Sequence, residues 1–119
     1  MSSEVITRND LKNVLDAILP SLVRWEYVGN VGSDIFNGSW TATDNGMMVV
    51  VGGANSSGGI AYWYIKDTTA NIYVANLFWD NANGTWRSSS FPIIKGHVYT
   101  SSDRQSVSIA NAYFYKFDV

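Results

Sequence analysis

Hydrophobic and polar positions alternate with two different periods along this chain. In residues 9–19 the apolar side chains recur at helical spacing, while charged and amide side chains fall on the opposite face. Thr7 or Asn9 can cap the first turn, and Pro20 ends the pattern. The spacing therefore predicts one helix with an apolar stripe formed by Leu11, Val14, Leu15, Ile18 and Leu19.

After Pro20 the rhythm changes to alternation with a period of two, interrupted by turn clusters rich in Gly, Asn and Asp. Regular short strands without a second helix predict an all-β chain, a jelly-roll-like antiparallel β-sandwich with a short N-terminal α-helix. We expect a leader and oligomerisation helix in residues 1–20 and a sandwich domain in residues 21–119. The predicted strands are 22–31, 36–43, 47–52, 59–66, 71–79, 85–91, 97–102 and 110–118.

The last predicted strand is apolar on both faces. Tyr113, Tyr115 and Phe117 alternate with Ala112 and Phe114. Such a strand is typical of the middle of a sheet, with its own core on one side and a second body on the other. We expect that body to be a neighbouring subunit.

The apolar stripe of the helix must also pack against another surface, because a helix of about eleven residues is only marginally stable alone in water. Either the β-domain or other copies of the helix can supply this surface. Other copies are favoured, since the stripe matches a short a/d seam. The predicted oligomer interface therefore comprises Leu11, Val14, Leu15, Ile18, Tyr113, Tyr115 and Phe117.

Composition narrows the classes of partner. A hydrophobic content of 46% with only 15% charged residues is typical of a globular chain. The net charge is −2 and the Lys and Arg residues are scattered singly, so nucleic acid is not an expected partner. Apolar runs such as 47–51 are too short to cross a bilayer, and charges within residues 1–20 interrupt any signal peptide. The absence of cysteine excludes disulfides and thiolate metal sites.

Candidate catalytic chemistry is sparse. His97 is the only histidine, and its place after the Lys95-Gly96 turn predicts a surface residue at a strand edge instead of a general base. No G-x-S-x-G elbow is present, and the Asp residues lie singly in turns. The 79–84 segment resembles a calcium loop only faintly, because Ala82 stands where an oxygen ligand is needed. We therefore expect no enzyme, no cofactor and no metal.

A possible binding site lies around the turn at 80–84. Trp79 and Trp86 flank this turn, and an indole beside Asp and Asn side chains at a loop tip is a common arrangement for holding a sugar. The alternative is that both rings tuck under the loop as core residues. The candidate ligand-binding residues are Trp79, Asp80, Asn81, Asn83 and Trp86.

Four segments together resemble small structural proteins of tailed bacteriophages. They are the leader ITRNDLKNVLDAILP, the strand-turn-strand WTATDNGMMVVV, the segment FPIIKGHVYT and the closing strand ANAYFYKF. The resemblance implies a tail-fibre tip or receptor-binding domain, whose relatives commonly form trimeric jelly rolls similar to the tumour necrosis factor-like fold. It leads us to expect a virion component, made in the host cytoplasm, that forms a homotrimer, contacts other virion proteins and binds a host cell-surface glycan or protein.

Other functions compete with this one. A capsid decoration or head-fibre protein belongs to the same structural class. A carbohydrate-binding module would be monomeric. A polysaccharide-degrading enzyme would need paired carboxylates in a groove.

Overall fold

A computed structural model describes residues 7–10, 12–13, 25–55 and 58–117. Residues 8–10 and 12–13 are helical. The Asp10 N–H donates to Oγ1 of Thr7 at 3.1 Å, and the Thr7 N–H donates to Oδ2 of Asp10 at 3.2 Å, which forms a capping box and lowers the pKa of Asp10. Of the two caps that the sequence allows, Thr7 and Asn9, the structure has Thr7. The boundary at Pro20 and the predicted stripe lie outside the described residues, and the stripe comprises Leu11, Val14, Leu15, Ile18 and Leu19.

Most of the remaining described chain is β-strand. Within the described residues, alternating apolar residues and glycine-rich turns produce eight strands, the number that the sequence predicts. The strands are β1 (Trp25–Asn30), β2 (Ser39–Thr41), β3 (Gly46–Ala54), β4 (Ala61–Asp67), β5 (Ile72–Trp79), β6 (Trp86–Ile93), β7 (Val98–Gln105) and β8 (Val107–Phe117), and the helix α1 (Gly32–Asn37) lies between β1 and β2.

The strands form two four-stranded antiparallel sheets. Sheet A has the order β1-β8-β3-β6, and sheet B has the order β2-β7-β4-β5. This interleaving of early and late strands is that of a jelly roll. The predicted fold class is confirmed.

The connections between strands gather at two opposite ends of the sandwich. At one end the Ala42 N–H donates to the His97 carbonyl and the Thr68 N–H to the Val98 carbonyl. We call this the leader end, because Trp25 pairs there with the last residue of β8. At the other end, the loop end, hydrogen bonds join the β3–β4, β5–β6 and β7–β8 connections; they run from Ala82 to Gly59, from Gly84 to Asn55 and from Asn55 to Ser106.

The core lies between the sheets and is dominated by large rings. Trp63 and Trp79 of sheet B and Phe114 of sheet A are completely buried. Gly52, near the end of β3, faces both indoles: an alanine Cβ there would lie 2.9 Å from Cη2 of Trp79 and 3.3 Å from Cε3 of Trp63. The absence of a side chain at Gly52 therefore gives the rings of sheet B their space.

The helix α1 corrects the sequence prediction, which allowed no second helix and began a strand at residue 36. Ile35 is fully buried in α1, and the ring of Phe36 meets Trp63 edge-on at 5.7 Å between centroids. Six residues are too few for a helical period to be recognised. The helix lies close to β8, since an alanine Cβ at Gly32 would lie 2.8 Å from the Ala112 nitrogen.

The strands β7 and β8 extend further toward each other than predicted, and the chain passes almost directly from sheet B to sheet A between them. A single residue, Ser106, with a positive φ of 57°, separates them. The polar segment 103–105 was predicted as loop, yet Asp103 and Gln105 pair with Tyr64 and Tyr62 of β4. Polar residues fit there because one side of sheet B faces solvent.

The closing strand occupies the predicted central position, between β1 and β3. Its alternation is also confirmed. Ala112 and Phe114 are completely buried, Tyr113 and Tyr115 are half-buried, and Phe117 is exposed.

Candidate functional site

Aromatic side chains cluster on the outer face of sheet A at the leader end. The ring centroids of Trp25 and Phe117 are 4.5 Å apart, and those of Tyr27 and Tyr115 are 5.2 Å apart. Trp25 is 43% exposed, Tyr27 52% and Phe117 39%. A groove of about 320 Å³ beside them is lined by Trp25, Tyr115, Met47 and a second side chain of β3. We call Trp25, Tyr27, Met47, Tyr115 and Phe117 the sheet A patch.

Strand register explains why these residues meet. Trp25 pairs with Phe117, and both Tyr27 and Met47 pair with Tyr115, so that side chains from three strands share one face. The sequence predicted the contribution of β8 to this face. The sequence indicated Trp25 only as a core or subunit-contact residue and did not indicate Tyr27 or Met47. For Met47 the apolar run at 47–51 was the available signal, because such a run faces both sides of a sheet.

Whether the predicted interface contacts other subunits stays a prediction. Of its members, Tyr115 and Phe117 lie in the sheet A patch, and Tyr113 adjoins it with its ring centroid 6.4 Å from that of Tyr27.

At the loop end, a cleft of about 570 Å³ opens beside Trp86. Trp86 and Ile109 flank Gly53 on the outer face of sheet A, and Asn55 and Ser108 add polar groups to the lining. Trp86 is 53% exposed. The cleft therefore offers an accessible indole next to hydrogen-bonding side chains.

The structure separates the two tryptophans that the sequence grouped. Trp79 is completely buried, and its Nε1 donates to the Thr85 carbonyl at 3.2 Å, so its ring offers no surface to a ligand. Trp86 lines the cleft. Ala82 is also buried, and its N–H donates to the Gly59 carbonyl at 2.5 Å, which draws the loop inward. The remaining candidates, Asp80, Asn81 and Asn83, lie exposed on the loop.

His97 has a buried partner that the sequence did not reveal. Its Nδ1 lies 2.6 Å from Oδ2 of Asp67, which is only 1% exposed. Burial raises the pKa of Asp67, but hydrogen bonds from His97 and from the Ala70 N–H outweigh it, and the net pKa is lowered. A carboxylate only accepts, so Nδ1 carries the hydrogen.

The Asp67–His97 pair joins the end of β4 to the β6–β7 connection at the leader end. Nearby, the Tyr99 hydroxyl accepts a hydrogen bond from the Ile94 N–H at 2.9 Å, and burial raises the pKa of that hydroxyl. These contacts hold the β6–β7 turn against β4. They give His97 a structural role that differs from the predicted exposed strand edge.

Within residues 7–10, 12–13, 25–55 and 58–117, no group of three or more His, Cys, Asp or Glu side chains is placed to hold a metal ion. In the same residues, no helix has the length and apolar character needed to span a membrane.

Comparison of the chain with protein-family models, curated proteins and solved structures found no match. The function must therefore be inferred from the faces and clefts of the sandwich itself.

Proposed function

We propose that this chain is a non-enzymatic virion structural protein that forms a homotrimer and presents its loop end to a host-surface ligand, a glycan or a protein. The observation that carries the proposal is the sheet A patch, an aromatic surface at the end of the sandwich where the leader joins. The resemblance to phage structural proteins supplies the virion setting.

The size of the patch favours self-association. A fully exposed aromatic side chain offers about 150–250 Å² of surface, so Trp25, Tyr27 and Phe117 together leave roughly 250–300 Å² in contact with water. Exposed apolar patches of a few hundred Å² commonly mark interaction sites. Covering this area is worth roughly 7 kcal/mol per subunit at about 25 cal/mol per Å². This exposed area is about a third of the roughly 800 Å² that each partner buries in an interface of standard size, so the patch can form the centre of such an interface.

The sandwich carries different features at its two ends, as an attachment protein requires. The patch and the junction with the leader share one end, whereas the cleft beside Trp86 lies at the other. Copies joined through the leader end would project their loop ends together. Three weak contacts on one rigid body then raise the apparent affinity, provided that the target can be reached by all three.

Solution mass tests the self-association. We expect light scattering of the full chain at micromolar concentration to give three times the subunit mass of 13.2 kDa. Tyr27→Lys places a charge in the sheet A patch and should yield monomers. Tyr73→Lys is the matched control, because Tyr73 is 53% exposed on sheet B and Tyr27 is 52% exposed on sheet A. A monomeric wild-type chain, or dissociation by Tyr73→Lys alone, contradicts the proposal.

Ligand binding at the loop end needs its own test. Trp86→Ala should leave the mass unchanged and weaken binding of the labelled protein to host cells. Undiminished binding by a folded Trp86→Ala trimer would exclude the cleft as the receptor site.

A further inference from the structure

The outer face of sheet B carries a groove that the loop end does not share. Tyr64 pairs with Asn76 on one side and with Asp103 on the other, so these residues form one row across β5, β4 and β7. Together with Tyr73 they line a groove of about 280 Å³. This volume is near the lower end for small-molecule sites and suits a single sugar ring.

Aromatic rings border the groove. The rings of Tyr62 and Tyr64 stack with centroids 5.2 Å apart and an angle of 23° between their planes. Tyr73 is 53% exposed, and Phe78, in the row next to the groove, is 47% exposed. Nζ of Lys66 lies 5.5 Å from the centroid of the Tyr73 ring. The face thus offers accessible rings along more than one row of the sheet.

Polar groups within the groove are free to bind a ligand. Among the described residues, neither the Asn76 amide nor the Asp103 carboxylate has a side-chain hydrogen bond, and both residues are exposed. A carboxylate accepts hydrogen bonds from hydroxyl groups, and an amide both donates and accepts. Unpartnered acceptors and donors between rings are complementary to a molecule with apolar CH faces and hydroxyl edges.

We propose that this groove binds a neutral oligosaccharide. One pyranose ring lies in the groove with its apolar face on a tyrosine ring, its hydroxyls donate to Asp103 and exchange hydrogen bonds with Asn76, and the adjoining units extend over Tyr62 and Phe78. The Asp103 carboxylate disfavours acidic sugars by repulsion between like charges, and the Lys66 ammonium group lies over the ring of Tyr73.

The inference is independent of the proposed trimer, since the groove and the sheet A patch lie on opposite sheets. It also differs from the loop-end cleft, where Trp86 is the accessible ring. Three variants separate these surfaces: Tyr73→Ala removes an exposed ring of the groove, Asp103→Asn removes its charge, and Trp86→Ala is the control at the loop end.

The experiment measures binding of the full chain to immobilised cello-, malto-, chito- and galacto-oligosaccharides of two to six units. We expect at least one series to bind, Tyr73→Ala and Asp103→Asn each to weaken that binding by roughly tenfold or more, and Trp86→Ala to leave it unchanged. Thermal melting checks that each variant is folded. Because all three side chains are exposed, their removal should not unfold the domain.

Several results would overturn the inference. Binding to none of the four series is one, and equal binding by the wild type, Tyr73→Ala and Asp103→Asn is another. Loss of binding in Trp86→Ala alone would assign the sugar to the loop end and leave the proposed function standing. A lower solution mass for Tyr73→Ala would identify the face as a contact between copies instead.

Discussion

Replacing Gly52 by alanine should destabilise the sandwich by inserting one methyl group between the sheets. That methyl carbon would lie 2.9 Å from Cη2 of Trp79, 3.1 Å from Cδ1 of Leu77 and 3.3 Å from Cε3 of Trp63. Trp79 and Trp63 are completely buried and Leu77 is only 4% exposed, so none can withdraw into solvent. Overpacking of this kind costs about 1–3 kcal/mol.

Gly53→Ala is the matched control, because it lies next to Gly52 on β3 and faces outward. Its methyl carbon would lie 3.3 Å from Cβ of Ile109 and 3.4 Å from Cζ3 of Trp86, and both of those side chains are exposed and can yield. Both substitutions gain the same backbone term, about 0.5–1 kcal/mol from the lower entropy of the unfolded alanine chain. The difference between them therefore isolates the core.

Urea unfolding followed by tryptophan fluorescence measures this difference. With a slope of about 1–3 kcal/mol per molar urea, we expect the midpoint of Gly52→Ala to lie roughly 1 M below that of Gly53→Ala. Both variants must be compared at one subunit concentration, because self-association shifts apparent stability. Coincident midpoints would refute the packing of both indoles against β3.

Two further predictions concern hydrogen bonds. The folded pKa of Asp67 lies below the unfolded value of about 3.9, so the stability that Asp67 contributes is present above about pH 4 and is lost as the pH falls through the folded pKa. Asp67→Asn should therefore lower the free energy of unfolding by about 1.5–3 kcal/mol at pH 7 and reduce the fall of the urea midpoint below pH 4. A variant whose urea midpoint depends on pH as the wild type's does would contradict this. Oδ1 of Asn30 accepts hydrogen bonds from the Gly32 and Ala112 N–H groups at 2.9 and 3.0 Å. Asn30→Ala should therefore lower the free energy of unfolding by about 1–3 kcal/mol and speed amide hydrogen exchange at Gly32 and Ala112. Asn76→Ala is the control, and it should change neither the stability nor the exchange rates, because Asn76 is exposed.

The fold was predictable from sequence because alternation is a local signal. The strand β4 is recognised by apolar residues at every second position and β3 by its continuous apolar run at 47–51, and a glycine-rich turn separates the two strands. The same rule fails for α1, which is shorter than two helical turns. It also fails for the ends of β7 and β8, where polar side chains lie on an exposed face and resemble a loop.

Much of the candidate site depends on contacts between distant residues. Asp67 and His97 are 30 positions apart, and no local pattern connects them. The sheet A patch requires Trp25 to meet Phe117 across the sheet. Trp79 and Trp86 flank one irregular loop, where alternation no longer tells which indole points inward. These features follow from register and topology, which a single sequence specifies only through the complete fold.

The pairing of β1 with β8 also affects when the sheet A patch can exist. β1 is an edge strand, and its single neighbour in sheet A is β8, the last of the described strands. During synthesis, Trp25 and Tyr27 emerge from the ribosome before Tyr115 and Phe117, and strands β2 to β7 are made in between. The sheet A patch is therefore complete only after β8 has been synthesised, so a nascent chain that lacks β8 cannot present it.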